Sequence, residues 1–171
     1  MLSLLRDIDT AITDAEAQKL HDLAKDGTVL EIGAWYGFST IVMALAAKIV
    51  HSVDWHEGDS FSGHPKGGTL QPFLANLERY RVRRRVIVHL GETADVLPFI
   101  RPQSFDFVFV DGEHSHAATR RDGIAAQRLV KPGGTVAFHD YGRYGVKFGV
   151  DEIGLPFELT ETLAVMKVGA E

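Results

Sequence analysis

Short apolar runs alternate with longer stretches of helical periodicity along most of the chain. Five runs rich in β-branched and aromatic residues predict strands, and between them apolar residues recur at the spacing of one helix face. The first strands are almost continuously apolar, as expected when helices cover both faces of a parallel sheet. The predicted strands are Val29–Ile32, Ile49–Val53, Val86–Leu90, Phe105–Val110 and Thr135–His139, and the predicted helices are Phe38–Lys48, Thr69–Arg81, Thr93–Ile100 and His116–Val130.

The two ends of the chain depart from this alternation. Residues 1–26 have the pattern of one or two amphipathic helices, whereas Phe157–Leu159 and Leu163–Val168 predict two short strands joined by a tight turn. A hairpin after five parallel strands indicates that antiparallel pairing completes the sheet. Strands that alternate with helices predict a doubly wound α/β fold. We expect a single domain over residues 1–171, with a helical segment at 1–26 and the core at 27–171.

Composition and charge fit an ordinary globular domain and exclude several kinds of chemistry. The chain has no cysteine, so disulfides, thiolate metal sites and cysteine nucleophiles are excluded. The net charge of -5 argues against a general affinity for nucleic acid. No apolar run is long enough to span a bilayer, and the acidic N-terminus does not resemble a signal peptide. We therefore expect a cytoplasmic protein without a membrane partner.

One basic segment, RYRVRRR at Arg79–Arg85, places five arginines in seven residues of this acidic chain. Cations at the end of a helix complement its dipole, which gives the segment a structural interpretation. The functional alternative is a patch that binds a phosphate, an RNA or an acidic partner. The acidic remainder of the chain favours the structural interpretation.

Two segments that follow predicted strands have the composition of functional loops. Trp55–Gly68 follows the second strand and is rich in Gly, Ser and His, and Asp140–Gly149 follows the fifth strand. In open α/β sheets, ligands bind outside the carboxyl ends of the strands, where both loops must lie. Because loops longer than about 12 residues are often functional, we expect the first loop to cover a ligand.

A two-glycine turn follows the first strand in the sequence VLEIGAWYGFST. A dinucleotide site needs a glycine where the backbone approaches the pyrophosphate. Trp35 occupies that position here, which disfavours NAD and FAD. A nucleoside without a pyrophosphate avoids the conflict, and Asp54 at the end of the second strand can accept hydrogen bonds from ribose hydroxyls. Glu31 could hold a ligand amine or brace the loop, while close helix–strand packing alone would explain Gly33 and Gly37.

Four segments together resemble a known enzyme family. VLEIGAWYGFST, HSVDW, FDFVFVDGEHSH and KPGGTVAFHDY occur in the order and spacing of a class I S-adenosylmethionine-dependent methyltransferase. More narrowly, the chain resembles the catechol-type small-molecule O-methyltransferases and a bacterial family that includes macrolide-sugar methyltransferases and cephalosporin-hydroxylase-like proteins. The similarity extends from Thr28 to the C-terminus. It implies a Rossmann-like, mostly parallel seven-stranded sheet in the order 3-2-1-4-5-7-6, with strand 7 antiparallel.

The resemblance also implies a cofactor, an acceptor and a set of binding residues. The cofactor is S-adenosylmethionine, and the acceptor is a small hydroxylated molecule such as a sugar or a phenol. Dimers are common for this fold, so a homodimer is expected by analogy. The residues that the resemblance places around the cofactor are Glu31, Gly33, Ala34, Trp35, Gly37, Ser39, Asp54, Trp55, Gly91, Glu92, Thr93 and Asp111.

Two acids at strand ends are candidate metal ligands. The resemblance makes the fourth and fifth strands neighbours, about 4.8 Å apart, so Asp111 and Asp140 at their carboxyl ends could share one cation. Two carboxylates suit Mg²⁺. In the catechol-type enzymes the metal acids occupy these two strand ends, and the resemblance carries that role to Asp111 and Asp140. The ion would lower the pKa of the attacking acceptor oxygen.

Histidines near these acids are candidate bases and ligands. His114 stands where the catechol-type enzymes have a catalytic lysine, and a neutral imidazole can accept a hydroxyl proton near neutral pH. His114 could instead bind the metal, with His116 or His139 as the base. Ser115 is also a good helix N-cap, and that role is compatible with a catalytic His114.

The chain departs from the catechol-type pattern after the fifth strand, where His139-Asp140-Tyr141 replaces an Asp-Asn pair. His139 could supply the missing ligand, which would favour another divalent cation, a transition metal, over Mg²⁺. The candidate metal ligands are therefore Asp111, Asp140 and His139, and the candidate catalytic residues are His114, Asp111 and His139. Two alternatives are hydroxylase-like chemistry on the same fold and a non-catalytic protein that binds a nucleoside or RNA through the arginine segment.

Overall fold

The strands of the computed structural model, which describes residue 5 and the ranges 7–58 and 68–169, form one seven-stranded sheet. Its order is β3-β2-β1-β4-β5-β7-β6, and β7 runs antiparallel to both of its neighbours. The other pairings are parallel. The fold class expected from the sequence is confirmed. The strands are β1 (Thr28–Ile32), β2 (Ile49–Asp54), β3 (Val86–Leu90), β4 (Phe105–Val110), β5 (Val130–Phe138), β6 (Phe157–Thr160) and β7 (Leu163–Lys167).

Six α-helices connect or precede these strands within the described part of the chain. Thr13 and Glu16 form a capping box at the start of the first helix, and Ser115 caps the fifth by accepting a hydrogen bond from the Ala118 amide. No helix among the described residues combines the length and apolarity needed to cross a bilayer. The helices are α1 (Asp14–Ala24), α2 (Phe38–Ala46), α3 (Leu70–Arg79), α4 (Thr93–Val96), α5 (His116–Leu129) and α6 (Tyr144–Asp151).

Helix α6 occupies most of the segment that the sequence predicts as a loop, so the expectation of an Asp140–Gly149 loop is wrong. Its glycines weaken the local preference for a helix. They also permit close packing, because a Cβ on Gly145 would overlap the carbonyl oxygen of His114, and one on Gly149 would lie 2.7 Å from Thr119 Cβ. Contact with α5 therefore overrides the local propensity.

Two further elements differ from their predicted bounds. The predicted helix Thr93–Ile100 divides into α4 and a short 3₁₀ helix at Leu97–Phe99, in which Pro98 cannot donate a helical hydrogen bond. Strand β5 begins at Val130, five residues earlier than predicted, and its register with β4 shifts between Phe105 and Phe107. The sequence did not predict this early start because the Pro-Gly-Gly sequence inside β5 is unfavourable for a strand.

Alternating residues of each central strand pack on opposite sides of the sheet. In β4, Phe107 and Phe109 join a core with Ile41 and Phe73, whereas Val108 and Val110 join a second core. Both sides are buried, which explains the nearly continuous apolar runs in the sequence.

Three of the clustered arginines have structural partners. Arg79 forms an ion pair with Asp7, Arg83 Nη1 donates to the carbonyl of Val86 (2.9 Å), and Arg85 Nη1 donates to the carbonyl of Ala44 near the end of α2 (3.2 Å). These contacts support the structural interpretation of the segment, in which the cations stabilise helix ends and turns.

Candidate active site

A cavity of about 390 Å³ opens at the carboxyl ends of the five parallel strands. Each strand contributes a loop to its wall, and the N-terminal segment closes one side through residues 9–12. A volume of this size is typical of sites for small molecules and cofactors. Residues from the five loops that line the cavity include Gly33, Ala34, Trp35, Ser39, Asp54, Trp55, Glu92, Thr93, Asp111, His114, His139, Asp140 and Arg143.

The turn after β1 depends on backbone conformations that favour glycine. Gly33 and Gly37 have φ values of 89° and 88°, and Trp35 has a φ of 48°. A Cβ on Gly33 would lie 2.8 Å from Gly112 Cα, and one on Gly37 would lie 2.8 Å from the ring of Phe73. Gly33 therefore allows the turn to contact the β4 loop, while Gly37 allows α2 to approach α3.

Asp54 fixes the shape of that turn through its carboxylate. Oδ2 accepts the backbone amides of Ala34 (2.7 Å) and Trp35 (2.9 Å), and Oδ1 accepts the amide of His56 (2.7 Å). A carboxylate offers about four acceptor positions, so Asp54 retains one for a ligand in the cavity. The expected ribose contact is thus compatible with a structural role in the loop.

Glu31, in β1, supports the turn after that strand through hydrogen bonds to residues of α2 and β2. It is fully buried, and its carboxylate accepts the hydroxyls of Ser39 (2.6 Å), Thr40 (2.5 Å) and Ser52 (2.9 Å). Burial raises the pKa of Glu31 to about 7, although the three hydroxyl donors act in the opposite direction. Of the two roles that the sequence left open for Glu31, the structure shows the bracing role.

Three of the residues expected around the cofactor do not line the cavity: Glu31, Gly37 and Gly91. Their direct contact with a ligand stays a prediction. Gly91, with a φ of 150°, and Gly37 shape the backbone of their turns. Glu31 supports the turn after β1 through its hydrogen bonds to Ser39, Thr40 and Ser52.

The acids and histidines after β4 and β5 converge in the cavity. Potential ligand atoms of Asp111, His139 and Asp140 all lie within 4.8 Å of one another. His114 joins this group, because its Nε2 lies 3.5 Å from Asp111 Oδ1 and 3.3 Å from Asp140 Oδ2. Arg143 pairs with Asp140 Oδ2 at 2.8 Å through Nε and lies 3.4 Å from His114 Nδ1.

Charge pairing sets the ionisation of this group. Burial alone would lower the pKa of His139, but the charges of Asp111, Asp140 and Glu16 raise it to about 9. Burial would raise the pKa of Asp111, yet the His139 charge and the hydrogen bond from His114 hold that pKa well below its usual range. Asp111 is therefore an ionised carboxylate at neutral pH.

His116, the alternative base, lies outside the lining of the cavity. Its Nε2 pairs with Glu152 at 3.2 Å, and its side chain is about half exposed. The expected covering role of Trp55–Gly68 concerns residues 59–67, which lie outside the described residues. Trp55 and Gly58, at the start of that segment, line the cavity.

Sequence reasoning missed three parts of this site: residues 9–12, Glu16 and Arg143. Residues 9–12 line the cavity, and Glu16 contacts His139 Nε2 at 3.4 Å. The Thr13–Glu16 spacing was readable as a capping box, but a local motif does not reveal a contact with a residue 123 positions away. Arg143 lies in the segment predicted as a loop, and nothing in that segment's sequence indicated that its side chain lines the cavity.

Residues 30–141 match a family model described as a methyltransferase domain. This chain belongs to the methyltransferase-domain family. The match covers the turn after β1, Asp54, both acids of the cluster and both of its histidines. The methyltransferase family expected from the sequence is confirmed, whereas α1 and the β6–β7 hairpin lie outside the matched range.

Solved structures share the fold at low sequence identity. The cofactor-bound Rv0187 from MTB is 22% identical with a TM-score of 0.77, over 99% of this chain and 88% of that one. An O-methyltransferase from Bacillus cereus in complex with SAH is 17% identical with a TM-score of 0.72, over 98% and 90% of the two chains. The O-methyltransferase TomG from Streptomyces achromogenes, involved in tomaymycin synthesis and in complex with SAM, is 22% identical with a TM-score of 0.72, over 98% and 89%. At these identities the likeness shows the fold.

Proposed function

We propose that this protein transfers a methyl group from S-adenosylmethionine to a hydroxyl of a small molecule, with assistance from a divalent cation. The observation that carries the proposal is that one cavity joins an Asp54-braced glycine turn to a cluster of acids and histidines. The first feature suits a nucleoside, and the second suits the activation of a hydroxyl. The structural neighbours described as O-methyltransferases in complex with SAH or SAM support the same assignment.

The residues present fit S-adenosylmethionine. The remaining acceptor position of Asp54 would bind a ribose hydroxyl, and the positive φ of Gly33 lets the backbone of the turn approach the ligand. Glu92 and Thr93, which line the cavity after β3, would flank the nucleoside. When bound, the cofactor supplies a methyl group on a positively charged sulfur. The protein's contribution is to hold that methyl group in line with the acceptor oxygen.

The residues present also fit a divalent cation. Two carboxylates and one imidazole with ligand atoms inside 4.8 Å form a donor set of mixed oxygen and nitrogen character. Such a set suits Mn²⁺ or another transition metal at least as well as Mg²⁺. Asp111, Asp140 and His139 would hold the ion. When bound, it would lower the pKa of the acceptor hydroxyl.

His114 is positioned to take the acceptor proton. Its Nε2 lies within 3.5 Å of both cluster carboxylates, so a hydroxyl held beside these acids would be within reach of the imidazole. Arg143 fixes Asp140 through their ion pair. We propose a small phenol or sugar as the acceptor because the cavity would have to hold it together with the cofactor.

The test is methyl transfer from S-adenosylmethionine carrying a deuterated methyl group to a panel of catechols, simple phenols and sugars. The proposal predicts a product that contains the labelled methyl group, together with release of S-adenosylhomocysteine. Mass spectrometry of the products measures both. The Asp111→Ala and Asp140→Ala variants should lose most of the activity and the calorimetric signal of Mn²⁺ binding. A product that gains oxygen without the label would favour hydroxylase-like chemistry and contradict the proposal.

A further inference from the structure

Glu16, on helix α1, lies on the opposite side of the His139 ring from Asp111. Its Oε2 is 3.4 Å from His139 Nε2, while Asp111 Oδ1 is 3.3 Å from His139 Nδ1. Glu16 and His139 are only 1% and 3% exposed. The imidazole therefore lies between two carboxylates. Asp111 lines the cavity, whereas Glu16 does not and contacts the other ring nitrogen of His139.

Four further hydrogen bonds fix the Glu16 carboxylate in this position. Oε2 accepts the amide and the hydroxyl of Thr13 (3.0 and 3.1 Å), and Oε1 accepts the amide and the hydroxyl of Thr162 (2.9 and 2.6 Å). The amides of Thr13 and Thr162 can only donate, one to each carboxylate oxygen, so both oxygens of Glu16 act as acceptors. An ionised carboxylate accepts hydrogen bonds and donates none. The imidazole nitrogen that faces Glu16 must therefore carry a hydrogen.

We propose that Glu16 is a positioning residue that keeps a hydrogen on His139 Nε2, so that Nδ1 is the nitrogen that gives up its hydrogen and binds a cation shared with Asp111 and Asp140. This inference rests on the metal-assisted part of the proposed function. A carboxylate that accepts the second N–H of a metal-binding histidine fixes the ring orientation and raises its basicity as a ligand. Neither Glu16 nor Thr162 lies in the range that matches the family model, 30–141. Elements that flank the family core thus complete the site.

The experiment compares the wild-type chain with Glu16→Gln and with a matched control, Thr13→Ala. Glutamine keeps the size of Glu16, but its NH₂ group replaces one of the two acceptor oxygens. That NH₂ group would face either the Thr162 donors or the Thr13 and His139 donors. Thr13→Ala removes the side-chain cap of α1 and one of the four hydrogen bonds to Glu16, but it leaves the Glu16 carboxylate and the other three bonds. Calorimetric titration with Mn²⁺ alone, at a temperature where circular dichroism shows each protein folded, measures the cation affinity. Titration with S-adenosylhomocysteine in the same preparations measures the cofactor site separately.

A second readout needs no variant of Glu16. Nitrogen-15 spectra of histidine side chains in the Zn²⁺-loaded wild-type protein report which ring nitrogen carries the hydrogen, and His139→Asn assigns the signal. We expect the hydrogen on Nε2 and the metal on Nδ1. The opposite arrangement would overturn the proposal even if Glu16→Gln does not fold.

Glu16→Gln should bind Mn²⁺ about 10- to 100-fold more weakly than the wild type, whereas Thr13→Ala should stay within about threefold. Equal affinities in all three proteins, or an equal loss in both variants, would overturn the positioning role. If the wild-type protein binds S-adenosylhomocysteine but no Mn²⁺, the cofactor assignment survives and the role of Glu16 is refuted. If it binds Mn²⁺ with the predicted pattern but no S-adenosylhomocysteine, the methyl-transfer proposal fails and the role of Glu16 stands.

Discussion

Gly33 lies directly against the backbone of Asp111, so that a Cβ at position 33 would overlap the Asp111 carbonyl oxygen and lie 2.8 Å from Gly112 Cα. This contact joins the turn that is proposed to hold the cofactor to the strand end that is proposed to hold the cation. Backbone contact at the ends of the neighbouring parallel strands β1 and β4 therefore sets the position of the proposed cofactor site relative to the proposed cation site.

Gly33→Ala should destabilise the protein by about 3 kcal/mol or more, because the new methyl group combines backbone strain with steric overlap. Gly133→Ala is the matched control: it has a similar φ of 77°, but a Cβ there would meet no atom within 4 Å. The control should cost only about 1–2 kcal/mol of strain. Urea unfolding measures both differences, and similar losses in the two variants would contradict the close contact at Gly33.

Glu31→Gln should change how stability depends on pH. The pKa of Glu31 is raised in the folded protein to about 7, from an ordinary value of 4.5. A raised carboxyl pKa contributes stability that is complete below the unfolded pKa and is lost as the pH rises through the folded pKa. Between pH 6 and pH 8 the wild type should therefore lose about 1 kcal/mol from this group.

The Glu31→Gln variant should lack that part of the loss, since the surrounding hydroxyls can accept as well as donate hydrogen bonds. Urea unfolding of both proteins at the two pH values isolates the contribution of Glu31, because the other titrating groups are shared. Identical pH dependence in the two proteins would refute the raised pKa.

His114→Ala should lower kcat by about 10²- to 10⁴-fold, the usual contribution of a general base. Affinity for S-adenosylhomocysteine should stay the same, because His114 belongs to the acid–histidine cluster and not to the glycine turn. His116→Ala should keep normal turnover, since that side chain pairs with Glu152 outside the cavity. The measurement is steady-state methyl transfer with the best acceptor from the panel. Equal turnover in the two variants would exclude His114 as the base.

Periodicity predicted the helices and strands, and the family resemblance supplied the strand order from which the convergence of the cluster was predicted. The apolar runs located all seven strands to within a few residues, except for the early start of β5. Acids at the ends of parallel strands meet because the strands end at one edge of the sheet. With the strand order that the family resemblance implied, Asp111 and Asp140 could therefore be paired from the sequence.

The remaining features depend on contacts that leave no local signal. Gly145 and Gly149 oppose a helix by propensity, and only their packing against α5 explains why α6 forms. Glu16 and Thr162 are 146 residues apart, yet their hydrogen bonds set the carboxylate behind His139. Asp54 was correctly placed beside the turn, but its use of two of the loop's own amides could be seen only in three dimensions.

The central claim is that the turn braced by Asp54 forms an S-adenosylmethionine site, and calorimetric titration with S-adenosylhomocysteine tests it most directly. Asp106→Asn is the matched control for Asp54→Asn. Asp106 also accepts a backbone amide, from Thr28 at 2.8 Å, but it lies at the start of β4, at the opposite edge of the sheet. Loss of charge-assisted hydrogen bonds should cost Asp54→Asn about 2 kcal/mol, or roughly 30-fold in affinity.

We expect the wild type and Asp106→Asn to bind S-adenosylhomocysteine with similar affinity and Asp54→Asn to bind it far more weakly. Absence of binding to the wild-type protein, or equal binding to all three proteins, would contradict the proposed cofactor site.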